Sequence, residues 1–330
     1  MLLAVNYHYI GEEQYPFPGI HSLPPRSFRA QVEEIGRHFE FIGIDDLIAA
    51  IGGEQELPEK ACLLTFDDGL RGQFEKAMPI LQDLAAPAAF FVPGQPYSEK
   101  RPLTVHVVHW LRSHLEPPVF HECLIRACER LRLSDLLEKA EACASGMYFW
   151  DDPETRRAKY LLNVLMDDHQ RGAVVAEMQR EVDLDPKAYY DELYMTREQI
   201  RFLDEHFAVG THGYSHCAMA PMTKAKARED IERSLQVLED MGCHAKTISY
   251  PYGYEGAVSP AVFDVARSCG LLAGFTTERS FNLTLDDPLA LARVDTNDAP
   301  GGKKPIIDAV DGRFELTGAM TMGRTRYHEE

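Results

Sequence analysis

The sequence predicts an α/β protein in which a parallel sheet carries helices on its outside and a mainly helical segment interrupts the alternation. Three observations carry this. Short apolar runs of strand length recur along the chain. Segments with helical spacing lie between them. One stretch of about 90 residues, from 103 to 195, has few strand signals of its own. At this level an open sheet and a barrel are not separated.

The apolar runs place buried strands at 2–9, 61–66, 87–92, 206–211, 245–250, 271–276 and 289–295. Between the first two, the spacing predicts a helix over 27–38, with Ser27 as N-cap and Phe28, Val32 and Ile35 on one stripe. A second helix is predicted over 222–241. There Ala227, Ile231, Leu235 and Leu238 recur at steps of four, four and three, and Gly242 follows as a stop. Within 103–195, Leu124, Leu131, Leu136 and Leu137 sit among charges, as do Tyr160, Leu161, Val164 and Leu165. An insertion of that size caps a site or forms a contact between subunits of a homo-oligomer. From 299 onward the glycines Gly301, Gly302, Gly312, Gly318 and Gly323 predict a loop-rich tail.

Composition bounds the function. The chain has 330 residues, 45% hydrophobic and 26% charged, ordinary values for a globular protein. Lys plus Arg is 34 against 52 for Asp plus Glu, a formal charge of −18. That excess argues against a nucleic-acid partner, which needs clustered positive charge. Seven cysteines without a C-x-x-C pair suggest neither a disulfide framework nor a thiolate metal site, and point to buried thiols in a reducing compartment. The apolar start Met1-Leu2-Leu3-Ala4-Val5 is broken by Asn6, Tyr7 and His8, too soon for a signal-peptide core. No segment reaches the eighteen apolar residues of a membrane span. The expectation is a cytoplasmic protein.

Three motifs carry chemistry. Thr65-Phe66-Asp67-Asp68-Gly69 follows the apolar run Ala61-Cys62-Leu63-Leu64. Two adjacent carboxylates at the end of a buried strand are costly unless something binds them, and ligands gather at the C-terminal ends of parallel strands. At a bend both can reach one pocket, one holding a metal and the other acting as a base. The plainer alternative is a solvated Asp-Gly turn. Second, His212 and His216 stand four apart after another apolar strand. On a helical turn that spacing puts both imidazoles on one face, where with one Asp they would form an open, catalytic type of divalent metal site. Third, Ser249-Tyr250-Pro251-Tyr252-Gly253 closes another strand. A rigid turn after Pro251 can fix the Tyr252 N–H toward an oxyanion; alone, it reads equally as a Pro-Gly turn.

In this order the three motifs resemble the polysaccharide deacetylase family (the NodB-homology domain, carbohydrate esterase family 4). The resemblance covers roughly 1–100 and 195–298 and leaves the insertion outside it. It implies a distorted parallel (β/α) barrel and a zinc-type metal that serves hydrolysis of N-acetyl groups on sugars. It implies Asp67 as general base, Asp68, His212 and His216 as metal ligands, and the backbone N–H of Tyr252 as oxyanion donor. Gly213 stands where the family has Ser or Thr, and Ser249 where it has Arg. No Asp-x-x-Asp-Trp or C-terminal Leu-x-His stretch occurs. The start Val5-Asn6-Tyr7-His8-Tyr9-Ile10 is similar to a circularly permuted branch that includes poly-N-acetylglucosamine deacetylases, whose first strand carries the acid. His8 is therefore the candidate acid. Arg293, Asp295 and Pro251 are candidate orienting or substrate-binding residues.

The expected organisation is a first part of the barrel over 1–102, a helical insertion over 103–195, a second part over 196–298 and a tail over 299–330. The expected reaction releases acetate from an amino sugar or a sugar precursor, with Zn2+ or another divalent transition metal as cofactor. Two alternatives stay open: an amide hydrolase or deformylase for a non-sugar small molecule, and a non-catalytic carbohydrate-binding protein of the same fold. His106, His109, His114 and His121 lie in the insertion without carboxylate order and are weak evidence for a second metal site.

Overall fold

The computed structural model describes residues 1–12, 21–143, 152–183, 190–305, 307–310 and 313–316. The chain forms two compact units. The first comprises Met1–Glu12, Ser22–Lys100 and Asp191–Glu330, and the second Glu13–His21 and Arg101–Tyr190.

The strands are β1 Leu2–Tyr7, β2 Glu40–Phe41, β3 Ala61–Asp67, β4 Ala88–Val92, β5 Ala208–Thr211, β6 Thr247–Ser249, β7 Ala273–Phe275 and β8 Val294–Asp295. They form one sheet in the order β7-β6-β5-β4-β3-β1-β8, with β2 beside β3, and every pairing is parallel. At the far edge, Phe275 bridges in parallel to Leu291. The Leu291 N–H donates to Gly274 O at 2.7 Å, and the Thr276 N–H to Leu291 O at 2.8 Å. The segment leading into β8 thus meets β7 at its start and β1 at its end, which curls the sheet into a distorted barrel. Every residue of β1, β3 and β4 is buried. Burial on both faces is why these strands read as continuous apolar runs.

Each expected strand is present; β3 runs one residue further, to Asp67, and the others are shorter than expected. Two-residue β2 carries too little pattern to be seen in sequence. In the tail expected to be loop-rich, β9 Ile307–Val310 pairs antiparallel with β10 Arg313–Leu316. The alternation of Arg313, Phe314, Glu315 and Leu316 is a strand pattern legible in the sequence. Gly312, Gly318 and Gly323 lie outside the described residues.

The helices are α1 Pro25–Gly36, α2 Ile44–Ile51, α3 Met78–Asp83, α4 Gln95–Glu99, α5 Thr104–His114, α6 Pro117–Arg130, α7 Ser134–Cys143, α8 Pro153–Tyr160, α9 Asp168–Val182, α10 Tyr190–Leu193, α11 Arg197–His206, α12 Lys224–Glu239 and α13 Pro260–Ser268. Helix α1 starts two residues before the expected Ser27, because Pro25 occupies a first-turn position that needs no N–H; Pro24, not Ser27, is the N-cap. It buries Phe28, Gln31, Val32 and Ile35. Helix α12 is capped by Thr223, whose side chain accepts from the Lys226 N–H, and Gly242 beyond it adopts φ +86°.

The second unit is helical, with α5 to α9 around a core that includes Leu111, Phe120, Leu124, Leu161, Val174 and Met178. Leu136 joins that core, while Leu131 stays exposed at the end of α6. Outside the core, Arg126 and Arg130 pair with Glu181.

Candidate active site

Strand β3 ends at Asp67, and the chain leaves the sheet through Asp68 at φ 81° and Gly69 at φ 66°. Adjacent residues on a strand point to opposite faces. The left-handed turn cancels that alternation, so both carboxylates sit at the top of the barrel, Asp67 2% and Asp68 5% exposed.

Asp67 has charge partners from distant strands. Arg293 donates from Nη1 to Oδ1 at 2.9 Å and from Nη2 to Oδ2 at 2.8 Å. Ser249 Oγ donates to Oδ2 at 3.0 Å and accepts from Arg293 Nη2 at 2.7 Å. The guanidinium is itself held by Thr65 Oγ1 at 3.1 Å and Thr276 O at 3.1 Å. Burial alone would raise the Asp67 pKa, but Arg293, and then His212, outweigh it and hold the carboxyl at about 2. Asp67 is an anion at neutral pH, fixed by a two-pronged contact. The arginine absent at position 249 is thus supplied from the segment beside β8.

The segment 212–216 is not the helical turn expected from its spacing. It is a loop after β5 in which Gly213 adopts φ 69° and His216 φ 55°. The imidazoles still converge, with ring centroids 4.8 Å apart. Asp68 Oδ1 lies 3.5 Å from His212 Nε2 and 3.2 Å from His216 Nε2, and one ligand atom from each of the three residues falls within 4.8 Å of the others. His212 Nδ1 is 2.6 Å from the Ser249 carbonyl, an acceptor only, so Nδ1 carries the proton and Nε2 presents its lone pair. Burial, the largest effect, pushes the His212 pKa down to about 4. A neutral nitrogen lone pair facing a carboxylate oxygen suits a cation between them, and two imidazoles with one carboxylate are donors for a divalent transition metal. Among the described residues this is the one such cluster. The insertion histidines join no such cluster among the described residues: His106 and His109 have ring centroids 6.1 Å apart, His114 bonds Trp110 O, and His121 pairs with Glu154.

Tyr252, at φ 62°, follows β6 and the buried Pro251. Its carbonyl accepts from Thr277 Oγ1 at 2.8 Å, and its ring stands edge-on to His216 at 5.2 Å. Backbone strain is concentrated here. Of seven described non-glycine residues with positive φ, Ala85, Lys100, Arg132 and Asp183 end helices; the other three are Asp68, His216 and Tyr252.

His8 lies just past β1, half-buried, and its charge acts on Asp67. Its carbonyl and that of Asp67 both accept from Gln73 Nε2, at 3.0 and 2.5 Å. Gln73 opens a π-helical turn, Gln73–Ala77, and ties the ends of β1 and β3 together. Asp295 stays at the exposed rim, where Oδ1 accepts from the Asn297 N–H and Nδ2 at 2.9 and 2.7 Å. The structure therefore brings Arg293, not Asp295, to Asp67. Sequence reasoning missed Gln73, Thr277 and Asp230 on α12. Nothing local marks them, since each acts across a fold contact.

Comparisons with known proteins bear on the fold and the family. No curated protein sequence matches the chain. Among solved structures, Streptococcus pyogenes deacetylase PplD in complex with acetate is similar over 89% of this chain and 91% of its own, with a TM-score of 0.53 and 13% identity. IcaB from Ammonifex degensii is similar over 89% and 90%, with a TM-score of 0.54 and 17% identity. The BpsB deacetylase domain from Bordetella bronchiseptica covers 89% and 95%, with a TM-score of 0.51 and 15% identity. These likenesses are of fold. The profile of the family described as "Polysaccharide deacetylase" matches residues 54–112 and 147–274. The match runs through part of the insertion, which the sequence reading had left outside, and breaks over 113–146; His8 and Arg293 lie beyond its ends. With more than half of its residues matched, the chain belongs to the polysaccharide deacetylase family.

Proposed function

We propose that the chain is a metal-dependent N-deacetylase that removes the acetyl group of an N-acetylated amino sugar. The observation that carries this is a pair of neighbouring carboxylates in unlike settings: Asp67 held ionised by Arg293, and Asp68 beside His212 and His216. Asp68, His212 and His216 would hold the ion, zinc in first place among divalent transition metals. When bound, such an ion supplies Lewis acidity, acidifying water and polarising the acyl carbonyl.

The remaining steps belong to the chain's own groups. Asp67 accepts the proton of the attacking water, oriented by Arg293 and Ser249. The Tyr252 N–H stabilises charge developing on the acyl oxygen. His8, protonated, gives a proton to the departing nitrogen, so the products are acetate and a free amine. We favour a nucleotide- or lipid-linked sugar precursor over a polymer, in keeping with free thiols at Cys62, Cys123, Cys128, Cys217, Cys243 and Cys269 and a reducing, cytoplasmic setting.

The test is acetate and formate release from a panel of N-acylated sugars, nucleotide sugars and oligomers. Zinc-loaded wild type, a chelated sample and Asp67→Asn are compared. Acetate release that needs metal and disappears in Asp67→Asn is the expected result. Release from non-sugar amides alone would move the activity to that class, and a protein that binds no metal would sink the proposal.

A further inference from the structure

We infer that Asp230 is the residue that positions the two metal-site histidines, and that glycine at 213 is what makes room for it. The inference rests on the metal reading above and concerns a residue outside the three metal motifs.

The segment from His212 to His216 has no helix of its own to hold it. Its middle is gripped by one carboxylate. The Tyr214 N–H donates to Asp230 Oδ1 at 2.7 Å; the Ser215 N–H and Oγ donate to Oδ2 at 3.1 and 2.5 Å. Both oxygens are used, and Asp230 is 8% exposed. A carboxylate buried to that degree needs such donors to offset its lost hydration. The grip comes from a rigid body, α12, anchored in the core by Ala227 and Ile231. One turn on, Ser234 Oγ accepts from Thr211 Oγ1 at 2.7 Å, fixing the residue before His212 to the same helix. On the other side, the Gly94 N–H donates to Gly213 O at 3.0 Å and the Gln95 N–H to Tyr214 O at 2.9 Å. The loop is clamped between α12 and the start of α4.

Gly213 is the other half of the arrangement. A Cβ there would lie 2.9 Å from Asp230 Oδ1 and 2.8 Å from Met219 Cε, on a backbone at φ +69°. A side chain at 213 and the Asp230 carboxylate in its observed place exclude one another. The hydrogen bond given up by having no hydroxyl at 213 is replaced by three bonds from a helix.

The experiment is a metal titration of the chelated full chain, with Zn2+ in competition with a chromophoric chelator and Co2+ absorption as a readout of ligand geometry. Asp230→Asn should weaken Zn2+ binding about 10–100-fold and alter the Co2+ spectrum, the size of effect seen when partners of metal ligands are lost. Ser215→Ala should weaken it less. Ile231→Val, a core change on the same helix, should bind as wild type does. Asp230→Asn binding within about threefold of wild type, or Ile231→Val losing as much, overturns the inference. If Asp230→Asn does not fold, Ser215→Ala decides, and unchanged affinity overturns it. Wild type that binds no metal overturns the metal reading itself; wild type that binds while the variants match it overturns only the role of Asp230.

Discussion

The two faces of β1 and β3 differ by one residue along the chain and by everything in chemistry. Toward α1, Tyr7 stacks on Phe66 at 5.2 Å, Phe66 on Phe90 at 4.8 Å, and Phe28 meets Tyr7 edge-on at 5.1 Å. Toward the barrel interior, Thr65 and Asp67 face Arg293 and Ser249. Both faces hang from one backbone ladder, in which Asn6 is opposite Thr65 and Tyr7 opposite Phe66. The aromatic face is held by area and dispersion, which tolerate changes of detail. The interior face is held by directed bonds to buried charge, where the loss of one partner strands the other. The lesson is a division of labour within one strand pair: one face stabilises, and the other holds costly groups where chemistry needs them.

The largest test of that contrast is Asp67→Asn. Acetate release per folded molecule should fall about 10²–10⁴-fold, the contribution of a general base. Stability in denaturant should fall by about 3–5 kcal/mol, because Arg293 stays buried without its anion. On the other face, Phe66→Ala should cost about 3–5 kcal/mol through the cavity it leaves. Activity per folded molecule should survive there. An inactive but well-folded Phe66→Ala would break the contrast.

Of these two faces, the interior one should carry the acid sensitivity. Asp67 sits at about 2 in the folded chain against an ordinary 3.8, so its stabilisation is complete above pH 3.8 and is lost as pH falls through about 2. His212 sits at about 4 against 6.5, so the metal-free protein loses stability as pH falls from 6.5 toward 4, where the unfolded chain takes a proton that the folded one refuses. Denaturant midpoints followed down in pH should show both declines, and Arg293→Met should remove the lower one. The smallest expected effect is Tyr7→Phe. Among the described residues the buried Tyr7 hydroxyl has no hydrogen-bond partner, and burial, the largest cause, drives its pKa well up. Removing it should leave stability within about 1 kcal/mol or raise it, as read by thermal unfolding. A loss beyond about 2 kcal/mol would show that the aromatic face depends on a polar contact after all.

Much of the site was legible because its residues cluster at strand ends. Asp67-Asp68-Gly69, His212 with His216, and Pro251-Tyr252-Gly253 each follow an apolar run, and parallel strands bring such ends to one rim. The helical-turn argument for the histidines failed for a local reason. Gly213 at positive φ turns the loop instead, and its presence after His212 was the available sign. The choice between Arg293 and Asp295 could not be made from sequence. Both stand on or beside one two-residue strand, and only the register against β1 and the approach to Thr276 send Arg293 inward.

The amino-acid sequence by itself determined the seven longer-patterned strands of the main sheet, their parallel class and the ionisable groups at their ends, because apolar runs, turn residues and motif spacing are short-range properties written along the chain. Tertiary structure alone decided which group meets which. Arg293 reaches Asp67 across 226 residues, Ser249 reaches it across 182, and Asp230 reaches the loop from the next helix. The strand pairings depend on how far each strand is offset from its neighbour around the barrel, and a one-residue slip in register would send side chains such as Asp67 and Ser249 to the opposite face.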